Sequence, residues 1–390
     1  MKILAIGFDI GGANVKVASA MIPVVMDTDA ILESAFVTRK YFPLWKNSID
    51  LLENVLHDSL LKHVEHHESL LASGNPCTIR VAATITGELS DAFNSKKEGI
   101  MKISGALSLA CERVRNMFLE VKPLLKIKRP VFYGIDGHFR ELDEAIEDWR
   151  IISAANWHAT ARWLGTRIKN GLLIDCGSTT TDIIPIIGHH PCTKGSTDFE
   201  RLMSGELVYT GILRATIPSI SHEVPVGEKM VPVSFEKFAI MADVYLILGM
   251  ISPEDYTCET PDGREKNSDA ACRRLARHVC EDASELGHQK IMDMAKYLHA
   301  QQVKRIATSV KQVMQWVQNA REGKKKKNLI AYGTGLGEEI LIEPAVKAAG
   351  IREQKLSAHF IGKEHSISSS AIGILFIIIL DSCMGESLAE

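Results

Sequence analysis

Residues 172–188 read LLIDCGSTTTDIIPIIG, and the predicted fold is organised around them. An apolar run ends at Asp175, the chain breaks at Gly177, and a β-branched run resumes after Asp182. This pattern predicts a hairpin, strand–turn–strand. Backbone N–H groups and hydroxyls at such a turn converge on a phosphate. We therefore predict a phosphate-binding turn with Asp175 placed to hold a cation; the hydroxyls are those of Ser178, Thr179, Thr180 and Thr181.

A shorter version of the same pattern opens the chain. Asp9 ends a strand, and Gly11 and Gly12 form a turn at which the backbone can approach an anion closely. Lys16, in the returning strand, is either a counter-charge for a phosphate or a solvated lysine. One such turn could be a simple tight hairpin, but two copies favour a binding site.

A third glycine motif follows a strand expected at residues 328–332. It comprises Gly333, Thr334 and Gly335, with Leu336 and Gly337 after them. We expect a helix to begin near Glu338, and its N-terminus can hold an anion or a nucleotide. The spacing is not GxGxxG, so a dinucleotide site is weakly supported.

Carboxylates are the candidate acid, base and metal groups. Glu88 and Asp91 follow a β-rich run, residues 77–86, where a catalytic carboxylate would reach a cleft; a helix cap or loop role is the alternative. Asp9, Asp175 and Asp182 are predicted metal ligands, because Mg²⁺ prefers one or two carboxylates together with substrate phosphates.

Two histidines lie four residues apart on a helix expected over residues 48–71, which Asn47 or Ser48 would cap. Residues 63 and 67 could bind a metal, but the neighbouring Glu65 and Glu68 indicate a solvated face. Further along, we expect a helix over residues 235–248, a surface excursion over 252–267, and a helix over 366–384 that packs on the first domain.

The length and composition of the chain indicate its number of domains, its partners and its compartment. A chain of 390 residues exceeds one core, so we expect two domains with a cleft. A net charge of −3 gives no reason to expect nucleic acid, and the lysine run 324–327 is typical of a solvated loop. The eight cysteines show no CxxC spacing, which is typical of reduced thiols in a cytosol. The sequence also shows no signal-peptide pattern and no apolar run of roughly 18 residues. We therefore expect a cytoplasmic protein that does not cross a membrane. The sequence is compatible with a homo-oligomer and does not predict the oligomeric state.

The order of the three turns resembles the actin-like ATPase/sugar kinase superfamily. More narrowly, the chain is similar to the hydantoinase/oxoprolinase-related group of tetrahydromethanopterin-linked one-carbon transfer proteins. The blocks that carry the resemblance are FDIGGANVKVA (8–18), TGELSDAF (86–93), AANWHATA (154–161), DCGSTTTDIIPI (175–186), GELVYTG (205–211) and YGTGLGE (332–338).

The resemblance implies an α/β fold of two actin-like domains, each a mixed sheet flanked by helices. We expect residues 1–168 plus 366–390 in the first domain and residues 169–365 in the second. It also implies binding roles at the matched positions of the first turn, Asp9, Gly11, Gly12, Asn14 and Lys16, and at Asp175 to Asp182 of the second.

For function, the resemblance implies a transferase of methanofuran biosynthesis. Such an enzyme condenses an aminomethylfuran-methyl diphosphate with γ-glutamyltyramine, forms an aryl ether and releases diphosphate with Mg²⁺. The alternatives are an ATP-dependent small-molecule kinase, a hydantoinase/oxoprolinase-like enzyme, or a non-catalytic nucleotide-sensing protein. Kinases of the superfamily carry Thr or Ser after DxGG, whereas this chain has Ala13 and Asn14. The loss of that hydroxyl favours a diphosphate site over ordinary ATP chemistry.

Overall fold

The computed structural model describes residues 2–23, 27–71, 76–122, 124–319, 329–356 and 361–386. The chain divides into two compact units. The first comprises Met1–Lys169, Ile186–Cys192 and Ala358–Glu390, and the second comprises Asn170–Pro185 and Thr193–Ser357. The lysine run 324–327 lies outside the described residues. Within them, no helix has the length and apolar character that crossing a membrane requires.

Fifteen strands are present in the described chain. They are β1 Lys2–Gly11, β2 Asn14–Met21, β3 Phe36–Tyr41, β4 Cys77–Thr86, β5 Leu125–Ile127, β6 Val131–Tyr133, β7 Phe139–Arg140, β8 Asn170–Cys176, β9 Thr181–Ile187, β10 His190–Pro191, β11 Leu207–Val208, β12 Glu223–Val226, β13 Lys229–Pro232, β14 Ala331–Thr334 and β15 Gln354–Leu356.

The α-helices vary from single turns to a helix of 32 residues. They are α1 Thr28–Ser34, α2 Ile49–His66, α3 Glu68–Leu71, α4 Lys96–Val121, α5 Leu142–Glu147, α6 Trp149–Ile152, α7 Asn156–Arg167, α8 Asp198–Ser204, α9 Ile217–Ile220, α10 Met241–Ile247, α11 Ser268–Ala276, α12 Ala283–Leu286, α13 His288–Asn319, α14 Glu343–Ala348, α15 Lys363–Ile367 and α16 Ser369–Glu386. Short 3₁₀ turns lie at Leu44–Lys46 and Arg277–Val279, and a π-helical turn at Glu338–Ile342.

The sheet of the first unit has the strand order β3-β2-β1-β4-β6-β7, with β5 also paired to β4. Strands β1, β2 and β3 are antiparallel, whereas β4 is parallel to β1 and to β6. This register sets Asp9 beside Lys16 on one side and beside Thr84 on the other. The opening hairpin and the strand over residues 77–86 are therefore confirmed.

The two faces of β1 carry different side chains. Leu4, Ile6, Phe8 and Ile10 are fully buried in a core that includes residues of α2 and α4. The alternate positions face α16, and a Cβ at Gly7 would lie 2.6 Å from the backbone nitrogen of Leu375. Because residues of a strand alternate between faces, Asp9 shares the face of Gly7. The small residue lets α16 lie directly on the sheet, with its N-terminus near Asp9.

The sheet of the second unit is built around the predicted hairpin. Strands β8 and β9 flank the turn 177–180, which confirms the prediction for residues 172–188. The strand order is β9-β8-β14-β15, with β11 paired to β9, and β14 is parallel to both β8 and β15. β10 pairs with the last residues of β9, Ile186 and Ile187, which belong with it to the first unit. Each unit is a mixed sheet flanked by helices, so the expected α/β class is confirmed.

The helix expected over residues 235–248 is wrong in its first half. The helix α10 begins only at Met241. Upstream, the backbone of Ser234 donates to the carbonyl of His278 and that of Ala239 donates to His278 Nε2, at 2.8 and 3.0 Å. Tertiary hydrogen bonds take the backbone groups that a helix would have used.

The surface excursion over residues 252–267 is wrong for its central residues. The side chain of Tyr256 is fully buried and Cys258 is nearly so. The hydroxyl of Tyr256 donates to Asp243 Oδ1 at 3.2 Å. A partner distant in sequence therefore draws this polar segment into the core of the second unit.

The solvated face expected for the histidines of α2 is also wrong. His63 and His67 are 0% and 4% exposed. Both rings lie within hydrogen-bonding distance of Ser19 Oγ, and His63 Nε2 also lies 2.8 Å from Thr38 Oγ1. The adjacent strands β2 and β3 supply these partners, which helical spacing alone does not reveal. Ser48 caps α2 as expected, by accepting a hydrogen bond from the backbone of Leu51.

The strand expected over residues 328–332 is displaced along the chain. β14 begins at Ala331 and ends at Thr334. Pairing with β8 fixes this register, because Ala331 aligns with Leu172 and Thr334 with Asp175. The last strand residue therefore belongs to the third glycine motif.

Candidate functional site

The first turn holds Asp9 as a buried carboxylate, 3% exposed, with three partners. Lys16 Nζ lies 3.5 Å from Asp9 Oδ2, and Ser370 Oγ donates to the same oxygen at 2.5 Å. Thr86 Oγ1 donates to Asp9 Oδ1 at 3.4 Å. Ser370 lies in the first turn of α16, where the helix dipole also favours a negative charge. Lys16 is thus a partner of Asp9 and not a solvated lysine.

The glycines of the first turn permit close packing. The backbone of Leu44 donates to the carbonyl of Gly12 at 2.8 Å. A Cβ at Gly87 would lie 2.5 Å from the side chain of Leu44 and 3.2 Å from the carbonyl carbon of Gly11. Because N–H and C=O point in opposite directions across a trans peptide, the N–H of Ala13 points away from Leu44. The close approach of Gly87 to Leu44 and Gly11 shows that the TGELS segment, at the end of β4, packs directly on the first turn. Asn14 is half-buried and is the first residue of the returning strand.

Glu88 and Asp91 lie in different environments. Glu88 follows Gly87 and is 2% exposed. Its backbone lies against α4, where a Cβ at Gly99 would be 2.6 Å from Glu88 Cα. Asp91 is exposed. Of the two carboxylates, the structure therefore places Glu88 beside the first turn.

The second turn is held by the segment that follows the GELVYTG block. The carbonyl of Gly177 accepts from the backbone of Ile212 at 3.0 Å. The carbonyl of Ser178 accepts from Leu213 and Arg214 at 3.1 and 2.9 Å. Across these trans peptides, the N–H groups of Ser178 and Thr179 point away from the supporting segment. A phosphate-binding turn needs N–H groups that face away from the supporting backbone in this way, and phosphate binding here stays a prediction.

Side chains of this turn divide between the rim and the interior. Ser178 Oγ lies 3.4 Å from Thr179 Oγ1, and both residues are half-buried, as is Thr180. Arg214 Nη1 donates to Thr179 Oγ1 at 3.4 Å. Thr181, in contrast, is fully buried and donates to the carbonyl of Thr210 at 2.8 Å. The hydroxyl of Thr181 therefore has a structural role.

The third glycine motif is brought to Asp175. Parallel pairing sets Thr334 beside Asp175. Gly335 has a φ of +94°, and a Cβ there would lie 2.6 Å from Asp175 Oδ1. The backbone of Gly337 donates to the carbonyl of Cys176 at 3.0 Å. The second and third sequence motifs therefore form one locus at the ends of β8 and β14.

Two other predicted site residues lie within the framework of the second unit. Asp182 Oδ1 pairs with Nη2 of the buried Arg201 at 2.5 Å. Arg201 also donates to the carbonyl of Glu206, the acidic residue of the GELVYTG block, at 3.3 Å. Gly333 packs on the core, where a Cβ would lie 2.9 Å from the side chain of Leu356. The ion pair favours a structural role for Asp182 over the metal-ligand role.

A buried polar network behind the second turn was missed by sequence reasoning. Gln302 Nε2 donates to Thr210 Oγ1 at 2.8 Å and to the carbonyl of Gly211 at 2.9 Å. The hydroxyl of Tyr245 donates to Gln302 Oε1 at 2.6 Å. A glutamine on the apolar stripe of α13, four residues after Leu298, is a signal of such buried hydrogen bonding.

The side chains around the turns limit where a divalent cation could bind. In the described ranges there is no group of three or more His, Cys, Asp and Glu side chains that could hold a metal. Asp9 accepts from Lys16 and two hydroxyls and is 3% exposed, so it has little room for a further ligand. Asp175 is half-buried at the edge of the turn, where a carboxylate could hold Mg²⁺ together with phosphate oxygens and water, and it stays our candidate ligand.

The cysteine between the two motifs does not suit nucleophilic chemistry. Cys176 is fully buried, and burial raises the pKa of its thiol to about 12. Its sulfur lies 3.3 Å from Thr181 Oγ1. Because the thiolate is the reactive form, this thiol is inert near neutral pH. Cys176 is therefore not a candidate nucleophile.

Comparison with solved structures shows the fold. The chain is similar to nucleotide-free acetone carboxylase, with a TM-score of 0.51 at 11% sequence identity; the match covers 96% of this chain and 70% of that one. Together with the two mixed sheets, this confirms the actin-like α/β architecture that the sequence predicted.

Curated relatives share more of the sequence. The chain is 34% identical over 344 residues to a (4-{4-[2-(gamma-L-glutamylamino)ethyl]phenoxymethyl}furan-2-yl)methanamine synthase of Methanocaldococcus jannaschii, which covers 87% of this chain and 88% of the relative. A protein of the same name from Methanococcus vannielii is 36% identical over 173 residues, 44% of this chain and 73% of the relative. The family model for hydantoinase/oxoprolinase matches residues 80–377. The chain belongs to the hydantoinase/oxoprolinase family.

Proposed function

We propose that this chain is a transferase that makes the furan-methanamine ether named for its relatives. The observation that carries the proposal is 34% identity to one such synthase along 87% of the chain. The name of that product contains a phenoxymethyl link, which is a bond between a phenol oxygen and a furan-methyl carbon. The substrates would be an aminomethylfuran-methyl diphosphate and γ-glutamyltyramine.

The chemistry of that link defines what the site must do. The phenol oxygen forms a bond to the furan-methyl carbon, the bond from that carbon to the diphosphate oxygen breaks, and the phenol proton is lost. Charge builds on the departing diphosphate, so oriented donors at its oxygens lower the barrier. The N–H groups of Ser178 and Thr179 and their hydroxyls are our candidates for this role, supported by the orientation of the second turn.

Mg²⁺ would supply further charge neutralisation on the diphosphate, and Asp175 is the residue that would hold it. Gly335 and Thr334 keep the strand ends close to this carboxylate. Asp9 and Lys16, joined as an ion pair, give the first turn no net charge of their own. ATP binding stays a prediction of the resemblance.

Glu88 is our candidate for the base that takes the phenol proton. It is a buried carboxylate next to the first turn, whereas Asp91 is exposed. A general base must lie within hydrogen-bond reach of the proton that it takes, and a carboxylate beside the first turn is better placed for this than one that faces solvent.

The test is diphosphate release from a defined mixture. The protein is incubated with Mg²⁺, the furan-methyl diphosphate and γ-glutamyltyramine, and a parallel arm contains ATP. We expect equal amounts of ether and diphosphate, a loss of both in Asp175→Ala, and wild-type rates in Asp293→Ala, an exposed carboxylate of α13. Phosphate or ADP from the ATP arm without any ether would replace the proposal with a kinase-like activity.

A further inference from the structure

Arg214 is a cationic side chain at the second turn that no sequence motif indicated. Its backbone donates to the carbonyl of Ser178 at 2.9 Å, and its Nη1 donates to Thr179 Oγ1 at 3.4 Å. The residue is half-buried. The guanidinium therefore lies beside the hydroxyl of Thr179, and the N–H of Thr179 points away from the segment that carries Arg214.

The chain around Arg214 is fixed on both sides. On one side it bonds to the second turn, and Gly211 permits the approach, since a Cβ there would lie 2.5 Å from the carbonyl oxygen of Gly177. On the other side, the carbonyl of Leu213 accepts from the backbone of Ala242 at 3.1 Å. Arg214 therefore extends from a backbone that is held in place.

The helix on that far side is itself anchored by buried charge. Asp243, in the first turn of α10, pairs with Arg274 at 2.7 Å, and both side chains are 0% exposed. Tyr256 donates to the same carboxylate. The start of α10 donates to the carbonyls of Leu213 and Ala215, so the backbone that carries Arg214 is attached to a helix with a buried ion pair.

We propose that Arg214 binds the diphosphate group at the second turn and stabilises the charge that develops on it. This rests on the proposed function. An arginine stays protonated and presents two parallel N–H donors to two phosphate oxygens. When the bond between the furan-methyl carbon and the diphosphate oxygen breaks, the electron pair stays on that oxygen, and the guanidinium lies where it neutralises the added charge.

The experiment compares Arg214→Ala, Arg214→Lys and, as a control, Arg273→Ala at an exposed arginine of α11. Calorimetry with inorganic diphosphate and Mg²⁺ measures binding, and ether formation gives the kinetic constants. We expect Arg214→Ala to weaken diphosphate binding at least tenfold and to lower kcat by about 10²–10³-fold, with the KM for γ-glutamyltyramine unchanged. Arg273→Ala should match the wild type.

Arg214→Lys separates charge from geometry and keeps the test decisive if the alanine variant does not fold. It retains the charge and loses the paired donors, so we expect an intermediate kcat and intermediate diphosphate affinity. Wild-type kcat and affinity in either folded variant would overturn the assignment. If the wild type makes no ether yet binds diphosphate in an Arg214-dependent manner, the proposed function fails while the binding role of Arg214 stands.

Discussion

Gly335 leaves the space that the carboxylate of Asp175 occupies: a Cβ at position 335 would lie 2.6 Å from Asp175 Oδ1. The two residues are far apart in sequence, and parallel pairing of β14 with β8 brings them together. Two features require a glycine at position 335: the lack of space for a Cβ, and a φ of +94°, which L side chains rarely adopt. The glycine of the third motif therefore provides the space in which the Asp175 carboxylate of the second motif lies.

Gly335→Ala should lower both activity and stability, because the added Cβ would lie 2.6 Å from Asp175 Oδ1 and 2.6 Å from the backbone carbonyl oxygen of Cys176. The added Cβ displaces the Asp175 carboxylate, so we expect kcat/KM for the diphosphate substrate to fall by at least 10²-fold. Gly350→Ala is a matched control, since Gly350 has a φ of +86° and open space around its Cα. The control should share the backbone strain, about 1 kcal/mol of unfolding free energy, and retain activity. Equal kcat/KM values for the two variants would contradict the close approach to Asp175.

Glu88→Gln should slow the reaction without weakening the binding of diphosphate. Loss of a general base lowers rates by about 10²–10⁴-fold, and the effect should appear in kcat for ether formation. Asp91→Asn, three residues away and exposed, should keep the wild-type kcat. A kcat for Glu88→Gln within twofold of the wild type would remove Glu88 from the mechanism.

Asp182→Asn should lower stability and leave the response to Mg²⁺ unchanged. The variant removes the nearer and more buried of two carboxylates beside Arg201, which is 1% exposed, and leaves the longer contact to Asp198, so we expect a loss of about 3 kcal/mol of unfolding free energy. Asp198→Asn is the control: this carboxylate is 3.6 Å from Arg201 Nη1 and 26% exposed, so its loss should cost less than about 1 kcal/mol. Urea unfolding and a Mg²⁺ titration of activity measure both effects. A higher Mg²⁺ requirement with unchanged stability would restore the metal-ligand role of Asp182.

Acid should destabilise the first unit through its buried histidines. Burial first, and then the neighbouring histidines, lower the pKa of His63 to about 3; burial and His66 lower that of His67 to about 4. Above pH 6.5 both rings are neutral in the folded and unfolded states. Below pH 6.5 the unfolded chain binds more protons, so stability falls by about 1.4 kcal/mol per pH unit for His63 alone, until pH approaches its folded pKa.

The measurement is the urea midpoint between pH 7.5 and pH 5. The double variant His63→Gln/His67→Gln should show a shallower loss of stability over this range than the wild type. His190→Gln, at an exposed position, is the control and should keep the wild-type slope. Equal slopes in the wild type and the double variant would exclude this pair as the source of the acid sensitivity.

Local patterns predicted what depends on neighbours along the chain. The hairpins at residues 9 and 175 and the strand 77–86 follow from apolar runs broken by small residues, and Ser48 caps α2 through a bond three residues away. Expectations failed where a distant partner competes. His278 holds the backbone before α10, and Ser19 and Thr38 draw the histidines of α2 into the core.

The sequence by itself determined the class of the fold and the three glycine turns, because a turn needs only its own residues and their permitted backbone angles. Tertiary structure alone decided which side chains surround those turns. Ser370 reaches Asp9 across 361 residues, and Arg214 reaches Thr179 across 35. Such contacts depend on strand register and on how closely a helix can lie on a sheet, and neither is encoded at a fixed spacing in the chain.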